Sequence, residues 1–94
     1  MKSVKILNRT YKIIYTDDKS KLEVGNEAQV DYSKRLITVL TKNDGEQYSQ
    51  EWIKDSLLHE VAHAFMVETG QDDLNDERHA ELLSKFATFV QGLE

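Results

Sequence analysis

The sequence predicts a small α+β domain, an antiparallel or mixed sheet of three to four N-terminal strands followed by two helices. Three observations lead there. Apolar residues alternate at period 2 through the first half of the chain. From Ser49 onward they recur at helical spacing instead. The 94 residues suit one domain, and no proline, internal repeat or Gly/Ser-rich stretch divides them.

Each element has its own signal. Val4 and Ile6, then Tyr11, Ile13 and Tyr15, sit at period 2, with Asn8-Arg9 as the turn between two strands. Asp17 to Asn26 is polar and contains Gly25, so it reads as a loop with room for a helical turn. Gln29-Val30-Asp31-Tyr32 and Leu36-Ile37-Thr38-Val39-Leu40 flank Ser33-Lys34-Arg35 and predict a hairpin, and Asn43-Asp44-Gly45 closes the strand region. Ser49 is the expected N-cap of the first helix, with Glu51 in its first turn, where negative charge suits the helix dipole. Trp52, Ile53, Leu57, Val61, Phe65 and Met66 carry the helical period, and Gly70 ends it. After a loop at Gln71–Leu74, Asn75 or Asp76 caps a second helix reaching about Gln91, before Gly92.

Composition narrows the function classes. The chain has no cysteine, which removes disulfides, thiolate metal ligands and a thiol nucleophile. A chain this short buries a modest core, so a metal would be a useful additional fastener. The net charge of −5 and lysines scattered without a patch argue against nucleic-acid binding. No apolar run of 18 residues appears and Met1–Ile6 holds no signal-peptide stretch, so no membrane association is expected and a cytoplasmic location is.

The chemistry is concentrated in His59-Glu60-Val61-Ala62-His63. Histidines four residues apart project from one helix face, a turn apart, and their imidazoles can reach one Zn²⁺. Glu60 is rotated about 100° from His59, which places it beside the metal as a general base toward water, not as a ligand. A chance pattern in this apolar helix would bury two histidines and a carboxylate without partners, which is costly.

A catalytic zinc takes a third protein ligand and keeps one open position. Without cysteine the downstream candidates are Asp72, Asp73, Asp76, Glu77, His79 and Glu81. On a helical wheel Leu82, Leu83, Phe86, Phe89, Val90 and Leu93 centre on one face, with His79 in its middle, so His79 reads as a half-buried core histidine. Glu77, Ala80, Glu81, Ser84, Ala87 and Thr88 form a neighbouring stripe of small and acidic residues, and small residues allow the close helix approach a shared metal requires. This favours Glu77 as the ligand, with Glu81 one turn on as an acceptor for an imidazole N–H.

The two segments together, His59–His63 and Glu77-Arg78-His79-Ala80-Glu81-Leu82-Leu83-Ser84, resemble the gluzincin metallopeptidases. They are most similar to the small zincins, often encoded by phage or mobile elements, near the ImmA/IrrE family. The resemblance covers roughly residues 28 to 91 and implies a minimal zincin-like fold with one Zn²⁺ per chain on His59, His63 and Glu77. It also implies that Leu36-Ile37-Thr38-Val39 is the edge strand along which a substrate lies. The loop from Gly70 to Asn75 is shorter than in larger gluzincins, and Glu81 stands where those often have Asp. The implied function is a zinc-dependent metallopeptidase acting on a protein or peptide, a regulator protein in particular, with Glu60 as catalytic base. The alternative is a catalytically weak or inactive zincin-like module whose metal stabilises a protein-interaction surface. Tyr32, Tyr48, Arg78 and His79 are the candidates for a group that stabilises the transition state.

Overall fold

The computed structural model describes residues 2–91. Gly92 and Leu93, expected to end the second helix and to extend its apolar face, lie outside the described residues.

The expected α+β order is present. Strands β1 (Lys2–Ile6), β2 (Arg9–Thr16), β3 (Ala28–Asp31) and β4 (Leu36–Leu40) form a mixed four-stranded sheet in the order β1-β2-β4-β3. β1 pairs antiparallel with β2, β2 parallel with β4, and β3 antiparallel with β4. A two-residue turn, Leu7-Asn8, joins β1 to β2, one position earlier than the sequence suggests, because Ile6 pairs directly with Arg9. Leu7 takes φ 55 there, a left-handed conformation that a hairpin turn of this length demands. The loop after β2 contains one 3₁₀ turn, Lys19–Lys21, capped by Asp18.

Asn43-Asp44-Gly45 does more than close the strand region. It turns a small hairpin of β5 (Lys42–Asn43) and β6 (Glu46–Gln47), with Asp44 at φ 53 and Gly45 at φ 84. Asp-Gly with both residues at positive φ is the favoured two-residue hairpin turn, and the strands are too short to alternate visibly.

Helix α1 (Gln50–Glu68) packs on the sheet, and α2 (Glu77–Gln91) packs on α1. Ser49 accepts the Trp52 N–H at 3.1 Å to cap α1, and Gly70 at φ 77 turns the chain out of it. Among the described residues no helix is long and apolar enough to cross a membrane. The main core lies between α1 and the sheet: Ile6, Tyr11, Ile13, Ile37, Val39, Ile53 and Ala64 are buried together. Tyr11 is fully buried and donates its hydroxyl hydrogen to Glu68 Oε2 at 2.7 Å, fastening β2 to the last turn of α1. Burial, with Glu68 alongside, pushes the Tyr11 hydroxyl far above its ordinary pKa. Ile37 has no exposed surface, so Ile37→Ala should lower unfolding free energy by about 2–5 kcal/mol, read from the urea midpoint.

Two expectations need correction. Leu36–Val39 is not the sheet edge: β4 is internal, between β2 and β3, and β3 is the edge. The physical reason lies in the sequences. Residues 37–40 are all buried, a continuous run that needs cover on both faces, whereas all four residues of β3 are half-buried. Nor does the apolar face of α2 enter the core. Leu82, Phe86 and Phe89 are 65%, 61% and 62% exposed, and the helix instead buries Ala80 and Ser84, with Ala80 and Leu83 against Ala62 and Met66 of α1. Two helices that both reach one small cluster must approach on their small residues, and this turns the bulky ones outward.

Candidate metal centre

Helical spacing in α1 places His59 and His63 side by side, with ring centroids 5.0 Å apart. The third component comes from the start of α2. Asp76, rather than Asn75, caps this helix: its Oδ1 accepts the His79 N–H at 2.8 Å. That bond, with the His79 ring beside it, holds the Asp76 carboxyl below its ordinary range. The cap fixes Glu77 as the first residue of α2, where the helix dipole favours a negative charge.

Glu77 then spans both imidazoles. Its Oε2 lies 2.7 Å from His59 Nε2 and its Oε1 lies 3.0 Å from His63 Nε2. The hydrogen bond with His59 holds the Glu77 carboxyl below its ordinary pKa against the opposing effect of partial burial, with the neighbouring rings adding to the lowering. One ligand atom from each of His59, His63 and Glu77 lies within 4.8 Å of the others, a grouping that could hold a metal ion.

The opposite sides of the rings also face polar groups. His63 Nδ1 is 2.7 Å from Asn75 Oδ1, and the Asn75 amide nitrogen donates to the Tyr32 hydroxyl at 3.1 Å. The amide oxygen is therefore the acceptor, and His63 carries its proton on Nδ1. His59 Nδ1 faces Glu81 Oε2 at 3.4 Å. With His63 protonated on Nδ1, its Nε2 presents a lone pair to Glu77 Oε1, while His59 Nε2 either donates to Glu77 Oε2 or, in its other tautomer, presents a lone pair to it. At His63, acceptor facing acceptor at 3.0 Å is repulsive unless a cation lies between the two atoms or the ring takes a second proton. Two imidazoles and a carboxylate are a donor set suited to zinc, and the outer nitrogen of His63 is held by Asn75 as a metal site requires.

Glu60 lines the groove beside this cluster and makes no hydrogen bond to His59, His63 or Glu77 among the described contacts. Burial pushes its carboxyl above the ordinary glutamate range, while the charges of His63 and His59 pull the other way.

A groove crosses the cluster. One arm, about 640 Å³, is walled by β3, Tyr32, Glu60, His63 and Glu77. A second, about 450 Å³, is walled by Trp52, Asp55, Ser56, His59 and Glu81. Both arms share Asn26, Ala28, Glu60 and Glu77, so they meet over the His–His–Glu group. Its long wall is β3, whose backbone pairs on one side only.

The structure brings His59, Glu60, His63, Glu77 and Glu81 together and leaves the other candidates apart. His79 is not a core residue: its side chain is 42% exposed and its Nδ1 lies 2.8 Å from Asp76 Oδ1. It sits on the apolar face of α2, and that face is turned to solvent. Asp73 is exposed in a 3₁₀ turn, Asp72–Leu74, and the side chain of Asp72 lies outside the described residues. Of the four candidates for transition-state stabilisation, Tyr32 lines the groove; Tyr48 packs on the Trp52 ring at 5.5 Å and Arg78 is exposed on α2. Sequence reasoning missed Asn75 as the partner of His63. Its signal was present, since a short polar residue two positions before Glu77 must sit near whatever Glu77 binds, but it was read only as a helix cap.

No protein family, curated protein or solved structure matches this chain.

Proposed function

We propose that this chain is a zinc-dependent peptidase of minimal zincin-like fold, with His59, His63 and Glu77 holding one Zn²⁺ and Glu60 acting as general base. The observation that carries this reading is the placement of Glu60 in a groove beside two Nε2 atoms that converge on both oxygens of Glu77. A site serving stability alone has no use for a half-buried carboxylate kept out of the ligand set and open to a groove.

Zinc, when bound, supplies a Lewis acid that polarises a carbonyl and acidifies water. The chain's residues do the rest. Asn75 and Glu81 keep the two imidazoles in the tautomer whose Nε2 can ligate. Glu60 takes the proton of the attacking water and returns it to the departing amine, so it ends each turnover as it began. The unpaired side of β3 can receive an extended peptide as a further strand, which lays its carbonyls across the His–His–Glu group. The substrate is a protein or peptide, the resemblance to ImmA/IrrE-type zincins pointing to a regulator protein, and the setting is the cytoplasm.

The test is metal analysis of the purified full chain with a casein-cleavage assay. One zinc per chain and cleavage that stops on chelation and returns with Zn²⁺ are expected. One zinc per chain with no cleavage of casein or of any candidate regulator would overturn the peptidase reading. A finer prediction concerns Asn75. Asn75→Ala should lower zinc affinity about 10–100-fold, measured by competition with a chelating dye. An unchanged affinity would mean that Asn75 does not set the tautomer of His63.

A further inference from the structure

The groove is one-sided in charge. Seven of the 17 acidic residues line its two arms, and none of the 12 basic residues does. Glu23 and Asp31 stand in one arm; Glu27, Asp55 and Glu81 stand in the other. The remaining two are Glu60 and Glu77, and these are compensated in the centre itself: two carboxylates, two neutral imidazoles and one divalent cation sum to zero. Glu81 faces the ring of His59. Glu23, Asp31, Glu27 and Asp55 have no cation in the groove to answer them. The Asp31 carboxylate is further fixed in its ionised form by the Ser33 hydroxyl and the Lys34 backbone N–H. Lys34 itself is exposed and lines neither arm.

A concave wall of one sign raises the local concentration of the opposite charge, an effect that salt screens. The ligand class follows from combining this field with the strand edge. A peptide added to β3 is extended, so alternate side chains point the same way and repeat at roughly 6–7 Å. Cationic side chains at alternate positions would therefore reach the carboxylates of both arms while the backbone stays paired to β3.

We infer that the groove selects an extended basic peptide, one that sets Lys or Arg on both sides of the bond lying over His59, His63 and Glu77. The position of that bond rests on the peptidase reading; the preference for cationic peptides rests only on the groove.

The test uses the full zinc-loaded chain carrying Glu60→Gln, so that binding is read without cleavage. Three fluorescein-labelled decapeptides share the same apolar residues and carry Lys, Gln or Glu at alternate positions. Fluorescence anisotropy should give the Lys peptide at least about tenfold tighter binding than the Gln peptide at low salt, and the Glu peptide the weakest. The advantage should shrink between about 50 mM and about 300 mM salt. Adding Glu23→Gln with Asp55→Asn should cut the Lys-to-Gln ratio at least about threefold at unchanged zinc content, and Glu46→Gln, on exposed β6 outside the groove, should leave it alone. Equal binding of the Lys and Glu peptides, no binding of any peptide, or an equal effect of Glu46→Gln would each overturn the inference. The two readings fail separately. A basic peptide that is held but never cut by the wild-type chain defeats the peptidase and leaves the groove preference standing. Casein cleavage without charge preference does the reverse.

Discussion

Glu60→Gln should bind one zinc as the wild-type chain does and cleave peptide bonds about 10²–10⁴-fold more slowly. The substitution keeps the size and polarity of the side chain and removes only its capacity to accept a proton. Glu60 makes no hydrogen bond to either imidazole or to Glu77 among the described contacts, so its loss leaves the ligand geometry intact. Its burial in the groove wall also means that bulk solvent cannot readily substitute another base. Zinc content by atomic absorption and initial rates on casein, taken on matched samples, read the two quantities independently. Cleavage at the wild-type rate would remove Glu60 from the chemistry. Lost zinc would instead make it part of the ligand set.

The second large effect concerns the third ligand. Glu77→Ala should weaken zinc binding by more than about 100-fold, beyond the range usual for groups that only orient a ligand. Glu81→Ala should fall at the lower end of that orienting range, because its carboxylate stands 3.4 Å from His59 Nδ1, long for a hydrogen bond. His79→Ala should change nothing, since its ring is paired with Asp76 and stands outside the His–His–Glu group. Competition titrations of the three variants against one chelating dye make the comparison direct. Equal affinities across the three would sink the assignment of Glu77.

The sequence was most legible where one interaction dominates. Period-2 alternation predicts the β1–β2 pair, and Ser49 and Gly70 bound α1 as expected because caps act within a few residues. The spacing of His59, Glu60 and His63 on one helix needs no tertiary information. Glu77 was accessible because the small residues around it betray a close helix contact. What escaped depended on partners far along the chain. Strand order is such a case: Leu36–Leu40 pairs on both sides, and no local pattern says which strand lies beyond it. The wheel for α2 failed for a related reason. It identifies which residues share a face, yet only the partner helix decides which face is used, and here the alanine and serine side wins.

The packing of α2 through Ala80, Ser84 and Leu83 has a thermodynamic meaning. The contact rests on small side chains, and a helix of 15 residues is marginal on its own. Glu77 is its first residue, so a metal held jointly by α1 and Glu77 would tie down the end from which the helix begins. Docking of α2 and occupancy of the cluster then become a single equilibrium governed by mass action, with stabilisation growing as RT ln(1 + [L]/Kd). One wall of the groove belongs to that helix. The groove would thus be a concentration-dependent state of the chain, assembled as zinc rises and dissolved as it falls, while the sheet and α1 persist beneath it.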